Sequence, residues 1–113
     1  MGMTVRRARP PSADIVFKAL ADPTRRQILS LLRERRRSVG EIAEHFPVSR
    51  PAISKHLRVL RTAGLVIDQP EGTARVCELN PGPLQQVDGW LEIYRSYWTH
   101  SLQRLKAHVE KSL

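Results

Sequence analysis

Between Arg50 and Arg61 the chain reads RPAISKHLRVLR, with four cations, one histidine and no carboxylate in twelve residues. Ile53, Leu57 and Leu60 recur at three- and four-residue steps, the spacing of one buried stripe on a helix. Arg50, Ala52, Ser54, Lys55, His56, Arg58 and Arg61 are left largely on the other faces. An ordinary surface helix mixes Glu with Lys on its wet side. A helix that must lie against phosphates cannot carry carboxylates there. The chemistry these residues can do is therefore recognition of a polyanion. Lys and Arg would neutralise phosphates, and Arg, Ser and Lys would reach base edges in a groove of duplex DNA.

Such a helix works only if neighbouring elements hold it out, and the residues around it describe that frame. Ser49 offers a hydroxyl as N-cap, Pro51 sits in the first turn where a missing N–H costs little, and Gly64 is the expected stop. Before it, Val39, Ile42, Ala43 and Phe46 form the stripe of a shorter helix that Pro47 breaks. Two helices around a tight turn result. Upstream, Ala13 to Leu20 is expected as a helix with Ile15, Val16, Ala19 and Leu20 as its apolar set. Asp22 then caps a further helix whose core face is Ile28, Leu29, Leu31 and Leu32, with Pro23 at its first position. Arg33, Arg35, Arg36 and Arg37 close that helix. Cations suit the negative end of the helix dipole, so capping and solubility are expected of them ahead of DNA contact.

Beyond Gly64 the periodicity changes. Leu65, Val66 and Ile67 are β-rich, Gln69 to Thr73 reads as a turn, and Ala74 to Leu79 alternates apolar with small or polar residues. A hairpin placed there is a wing beside the reading helix. Arg75, near its tip, is positioned for a phosphate or a minor groove, or is simple loop decoration. Asn80 is expected to cap the last helix, with Pro81 and Pro83 at its start. From Leu84 the apolar residues fall at 84, 87, 91, 94, 98, 102, 105 and 109, a continuous stripe along roughly 30 residues. Trp90, Tyr94, Tyr97 and Trp98 place four of the six aromatic residues on it. A domain this small cannot cover such a stripe alone. A homodimer interface through Leu84, Val87, Leu91, Tyr94, Trp98, Leu102 and Leu105 is expected, with packing back on the same domain as the alternative.

Composition bounds the remaining possibilities. At 113 residues with a formal net charge of +8, the chain is one domain with a modest core and a preference for polyanionic partners. The expected division is a flexible basic arm over 1–12, a winged helix-turn-helix over 13–80 and a dimerising helix over 81–113. Cys77 is the single cysteine, so no internal disulfide can form and a reducing, cytoplasmic setting is expected. Met1 to Ser12 has basic residues and a Pro pair without the apolar run of a signal peptide, and no segment is long enough to span a membrane. Catalytic residues are not expected. The chain has no carboxylate cluster, no Ser-His-Asp or Cys-His arrangement and no glycine-rich phosphate loop.

Two blocks carry a resemblance: ALADPTRRQILSLL, Ala19 to Leu32, and SVGEIAEHFPVSRPAISKHLRVLRTAGLV, Ser38 to Val66. Joined, Asp22-Pro23-Thr24-Arg25, Ser54-x-His56-Leu57 and Ala63-Gly64-Leu65 resemble the ArsR/SmtB family of bacterial winged-helix repressors, over about residues 14 to 80. The resemblance implies a mostly α fold with a small β-hairpin wing, dimerising through terminal helices. Two reading helices would enter successive major grooves of a palindromic operator. The family positions that face DNA match Ser49, Arg50, Pro51, Ala52, Ser54, Lys55 and His56. Arg50 stands where the family often has Gln, which points to a guanine accepting a bidentate Arg through O6 and N7. For His56 a buried or capping role is the alternative.

Departures from the family matter as much. Metal-sensing members carry Cys-x-Cys on the segment matching Glu41 to Phe46, which here reads EIAEHF with Ala43 and His45, and soft metals require thiolates there. Asp88 is followed by Gly89 and Trp90 where a histidine ligand would stand. His100 and His108 lie two helical turns apart, too far for one ion within one chain. No metal and no cofactor is expected, and the resemblance is to the non-metal, autorepressor-like branch. The functional expectation is a repressor that binds operator DNA as a homodimer, with no membrane association. A metal- or ligand-responsive sensor, answering to an unidentified protein or small-molecule effector, is one alternative. The other is a protein-interaction module on a winged-helix scaffold.

Overall fold

The computed structural model describes residues 12–112, so the expected basic arm lies almost entirely outside the described residues. Ser12, expected within that arm, instead caps α1 (Ala13–Leu20), accepting from the Ile15 amide at 3.4 Å. α2 (Pro23–Glu34) follows after one turn, with Asp22 Oδ2 accepting from the Arg25 amide at 3.1 Å and Pro23 in the first turn. α3 (Val39–Ala43) is shorter than its apolar spacing suggests. A capping box starts it: Ser38 Oγ accepts from the Glu41 amide (3.1 Å) and Glu41 Oε1 accepts from the Ser38 amide (2.8 Å). After Ala43 the chain leaves the helix through turns, yet Phe46 still packs on the core from there.

α4 (Arg50–Thr62) carries the caps its residues imply. Ser49 Oγ accepts from the Ala52 amide at 3.3 Å. At the far end Gly64 has φ +75°, the left-handed region that a side chain disfavours. The Gly64 amide donates to Arg61 O (2.9 Å) and the Leu65 amide to Leu60 O (2.9 Å), while Leu60 and Leu65 are both fully buried. That pairing is a Schellman motif with its apolar contact. It turns the chain out of the helix at a fixed angle.

β1 (Val66–Glu71) and β2 (Ala74–Leu79) pair antiparallel from Val66 with Leu79 to Glu71 with Ala74. The expected five-residue turn is a correction: only Gly72 and Thr73 lie outside the ladder, and Gln69 to Glu71 are strand. Gly72, at φ +62°, supplies the first loop position of a two-residue hairpin turn, where a positive φ is required. Pro70 is tolerated because the pair next to the loop exchanges the ladder bonds, leaving its neighbour's N position facing outward.

The core gathers Val16 and Ala19 of α1, Ile28, Leu29 and Leu32 of α2, Ile42 of α3 and Ile53, Leu57, Leu60 and Ala63 of α4. Leu65, Val66 and Cys77 close it from the wing. Arg37 corrects the expectation for the basic run, since α2 ends at Glu34 and Arg37 is buried. Its backbone bridges Cys77 in both directions (3.1 and 2.7 Å), and its guanidinium donates to Glu34 Oε1 (2.8 Å) and Leu31 O (3.2 Å). A buried cation is tolerable only with such partners.

α5 (Leu84–Ser112) runs 29 residues, about 43 Å at the helical rise, and none of its residues is fully buried. Asn80 does not cap it, contrary to expectation. Its Oδ1 accepts from the Gly82 amide (3.2 Å), and its Nδ2 donates to Gly64 O (2.8 Å), so it fastens the end of β2 to the end of α4. The Pro-Gly-Pro stretch that follows places three residues between Asn80 and Leu84, where α5 begins.

Candidate DNA-binding surface

Three stripes run along α4. Ile53, Leu57 and Leu60 are fully buried. Opposite them, Pro51, Lys55, Arg58 and Thr62 repeat at three- and four-residue steps and are all exposed. The flanks between are half-buried or tethered. On one flank Arg50 and Arg61 reach toward other elements, and on the other Ala52 and His56 are half-buried. No carboxylate lies on the exposed stripe, so the only charges on the outermost surface of the helix are the cations Lys55 and Arg58.

The expected contact residues divide accordingly. Ser49, Arg50, Pro51, Lys55, Arg58 and Arg75 are exposed, and Ala52, Ser54, His56 and Arg61 are half-buried. The guanidinium of Arg50 lies over Gly40, where an added Cβ would meet Nη1 at 3.7 Å, so α3 steers this side chain along the helix start. Arg61 is bound inward. Its Nε donates to Asp68 Oδ1 at 3.0 Å and its Nη2 lies 3.8 Å from Cys77 Sγ. Asp68 also meets Arg75 Nη1 at 3.8 Å, while the Arg75 side chain remains 83% exposed. Asp68 thus joins the end of α4 to the wing, a linkage that sequence reading missed because its partners lie seven residues away on each side.

His56 is the other surprise. Its Nδ1 sits 3.2 Å from Arg25 Nη1 and 3.9 Å from Asp22 Oδ2. Burial alone would raise the Asp22 carboxyl pKa, but the Arg25 amide and nearby positive charge outweigh it and hold the group below its ordinary value. Asp22 and Arg25 stand in the quoted family motif, yet nothing in their spacing announces a partner 31 residues on.

The other arginines after α2 serve the frame. Arg35 pairs with Glu41 at 3.2 Å, and Arg36 spans Glu71 and Glu78 of the wing at 3.6 and 3.8 Å. Hydrogen bonds from Ser38 and Arg35 hold Glu41 below its ordinary pKa. Burial pushes the Cys77 thiol up, which disfavours the thiolate that redox or metal chemistry uses. Among the described residues no three His, Cys, Asp or Glu side chains converge as a metal site. Between α1 and α4 lies an open groove of about 260 Å³ lined by Ile15, Lys18, Arg58, Val59 and Thr62. No described helix is long and apolar enough to cross a membrane.

The expected interface residues of α5 also divide. Leu84 and Val87 pack against the chain's own core while remaining half-buried. Leu91 is half-buried, whereas Tyr94, Trp98, Leu102 and Leu105 are exposed, with Trp90 and Val109 beside them. Phe17 of α1 meets Trp90 edge-on at 5.4 Å, and Trp90, Tyr94 and Trp98 continue as a row of tilted rings. The aromatic row therefore begins on the domain and runs off it.

Known proteins agree with this geometry. Residues 22–68 match the family model described as bacterial regulatory protein, arsR family. The HTH-type transcriptional regulator Rv2034 of Mycobacterium tuberculosis is 47% identical over 91 residues, covering 80% of this chain and 82% of that one. The transcriptional repressor SdpR of Bacillus subtilis is 45% identical over 76 residues, covering 67% and 84%. Among solved structures, the ArsR family transcriptional regulator RHA00566 superposes with a TM-score of 0.68 at 32% identity, over 76% of this chain and 94% of that one. The chain belongs to the ArsR family of bacterial regulatory proteins, a winged helix-turn-helix transcriptional regulator that binds DNA and is not an enzyme.

Proposed function

We propose that this chain represses transcription as a homodimer on a palindromic operator, with residues 13–80 contacting DNA and residues 81–113 pairing the two copies. The observation that carries this reading is the pairing of two exposed faces of opposite character. α4 turns a carboxylate-free, cationic face outward, and α5 turns an apolar one outward. The first suits phosphates and the second suits a copy of itself. Lys55, Arg58 and Arg75 neutralise phosphates in this scheme. Arg50 and Ser54, with Ser49, Pro51 and Ala52 at the helix start, set the base preference, and Arg50 favours a guanine. Arg61 acts through the wing it holds. Tyr94, Trp98, Leu102 and Leu105, with Leu91 at their edge, form the interface. No metal or cofactor is required, and the setting is the cytoplasm. Control then comes from the abundance of the protein or from a partner.

Selection of duplexes from a randomised pool by the purified protein tests this directly. The expected product is an inverted repeat whose half-sites are one helical turn apart, about 10 base pairs, bound by a species of twice the chain mass. Enrichment of a single, unrepeated site, or of nothing above background, would falsify the reading.

A further inference from the structure

We propose that Arg25 is a positioning residue that locks His56 in one tautomer, so that α4 offers DNA a single oriented donor, the Nε2–H, beside its cationic stripe. The inference rests on the reading of α4 as the DNA-contacting helix. It begins with the 3.2 Å contact between Arg25 Nη1 and His56 Nδ1. A guanidinium has five donors, no acceptor, and does not lose its proton in proteins. Arg25 must therefore donate and Nδ1 must accept. A neutral imidazole whose Nδ1 accepts carries its hydrogen on Nε2.

Arg25 is not free to yield. Its Nε donates to Ala19 O at 2.7 Å and its Nη2 to Lys18 O at 2.9 Å, two carbonyls at the end of α1. Its own amide is held by Asp22. Asp22 Oδ2 lies 3.9 Å from Nδ1, beyond hydrogen-bond reach, so Arg25 is the one hydrogen-bond partner of Nδ1 among the described residues.

The other ring nitrogen is open. Nε2 makes no hydrogen bond within the described residues, and no side-chain polar atom among them is both buried and unpartnered, so Nε2 reaches solvent. His56 follows Lys55 directly and precedes Arg58 by two positions, on the flank of the exposed stripe. A duplex seated on Lys55 and Arg58 brings an acceptor to Nε2–H, either a phosphate oxygen or the N7 or O6 of a base.

Nitrogen-15 spectra of histidine-labelled full-length protein read the tautomer, and binding of the duplex selected from the random pool reads its use. Wild type is expected to show an unprotonated Nδ1 and a protonated Nε2 at neutral pH. His56→Gln keeps an amide donor near the Nε2 position and should bind within about threefold of wild type. His56→Asn and His56→Ala should lose about tenfold, the worth of one hydrogen bond. Arg25→Lys should show a mixture of tautomers and weaker binding. If that variant melts early because α1 has lost its cap, the wild-type spectrum decides alone. Equal losses on the selected and a scrambled duplex assign the acceptor to phosphate. A loss confined to the selected duplex assigns it to a base edge, and either supports the proposal. A protonated Nδ1 in wild type, or a folded His56→Ala that binds normally, overturns it while leaving the repressor reading intact. Wild type that selects no duplex overturns both.

Discussion

α4 and α5 are amphipathic helices built on the same periodicity, yet one has its apolar stripe sealed and the other has it open. Three residues of the 13-residue α4 are fully buried, and its outer face is cationic. The 29-residue α5 has none buried, and its outer face carries Trp90, Tyr94, Trp98, Leu102 and Leu105. The contrast separates a part of the molecule whose apolar stripe is covered by its own chain from a part whose stripe stays exposed and is covered only in the proposed dimer. Substitutions in the first should be read in the stability of one chain, and substitutions in the second in its association.

The largest effect expected is on the sealed side. Leu57→Ala removes a fully buried side chain at the centre of α4 and should cost about 2–5 kcal/mol in denaturant unfolding. Leu102→Ala, on the open side, should change single-chain stability by less than about 0.5 kcal/mol in dilute protein. Equal losses for the two would erase the distinction. Next in size, Trp98→Ala should weaken self-association by about 2 kcal/mol or more in sedimentation equilibrium, as a central aromatic anchor does. Association untouched by that change would leave the stripe without its proposed partner.

Within α4 and the wing the contrast becomes one of roles. Arg50→Ala should cost about 1–3 kcal/mol and relax preference at one base pair per half-site, whereas Arg75→Ala should weaken all duplexes alike and lower the salt slope by about one. Identical sequence profiles for the two would collapse that division. The smallest effect is acidic. Asp22 has a folded pKa below its ordinary 3.8, so its stabilising contribution is whole above that value and is lost as pH falls through the lowered one. Asp22→Asn should flatten the pH dependence of thermal unfolding in that window, and an unchanged curve would assign the acid sensitivity to Glu41 or Asp88, both of which are also lowered.

Local signals were readable wherever the cause was local. Ser49, Pro51 and Gly64 bracket α4 because capping geometry is set within four residues, and the stripe of α5 is visible because periodicity is. Phe46 fulfilled its packing role even though α3 ended three residues before it. What stayed hidden depends on contacts between distant segments. Asn80 has the chemistry of a cap, but the Gly64 carbonyl and the Gly82 amide claimed its amide group. Arg37 reads like its three basic neighbours until the bridge to Cys77 draws it inward. Arg61 sits in the basic run of α4, and only the return of the hairpin brings Asp68 beneath it. The same holds for His56, whose ring faces a residue from a helix two elements earlier.

The bridge from Arg37 to Cys77 also bears on how copies of this chain can meet. A two-stranded ribbon ordinarily has two raw edges, each a template for adding a strand from another molecule. Here the β2 edge is occupied at its base by Arg37, and the β1 edge carries Pro70, which has no N–H to give. Both routes to fibre-like stacking are blunted, which disfavours assembly through the hairpin.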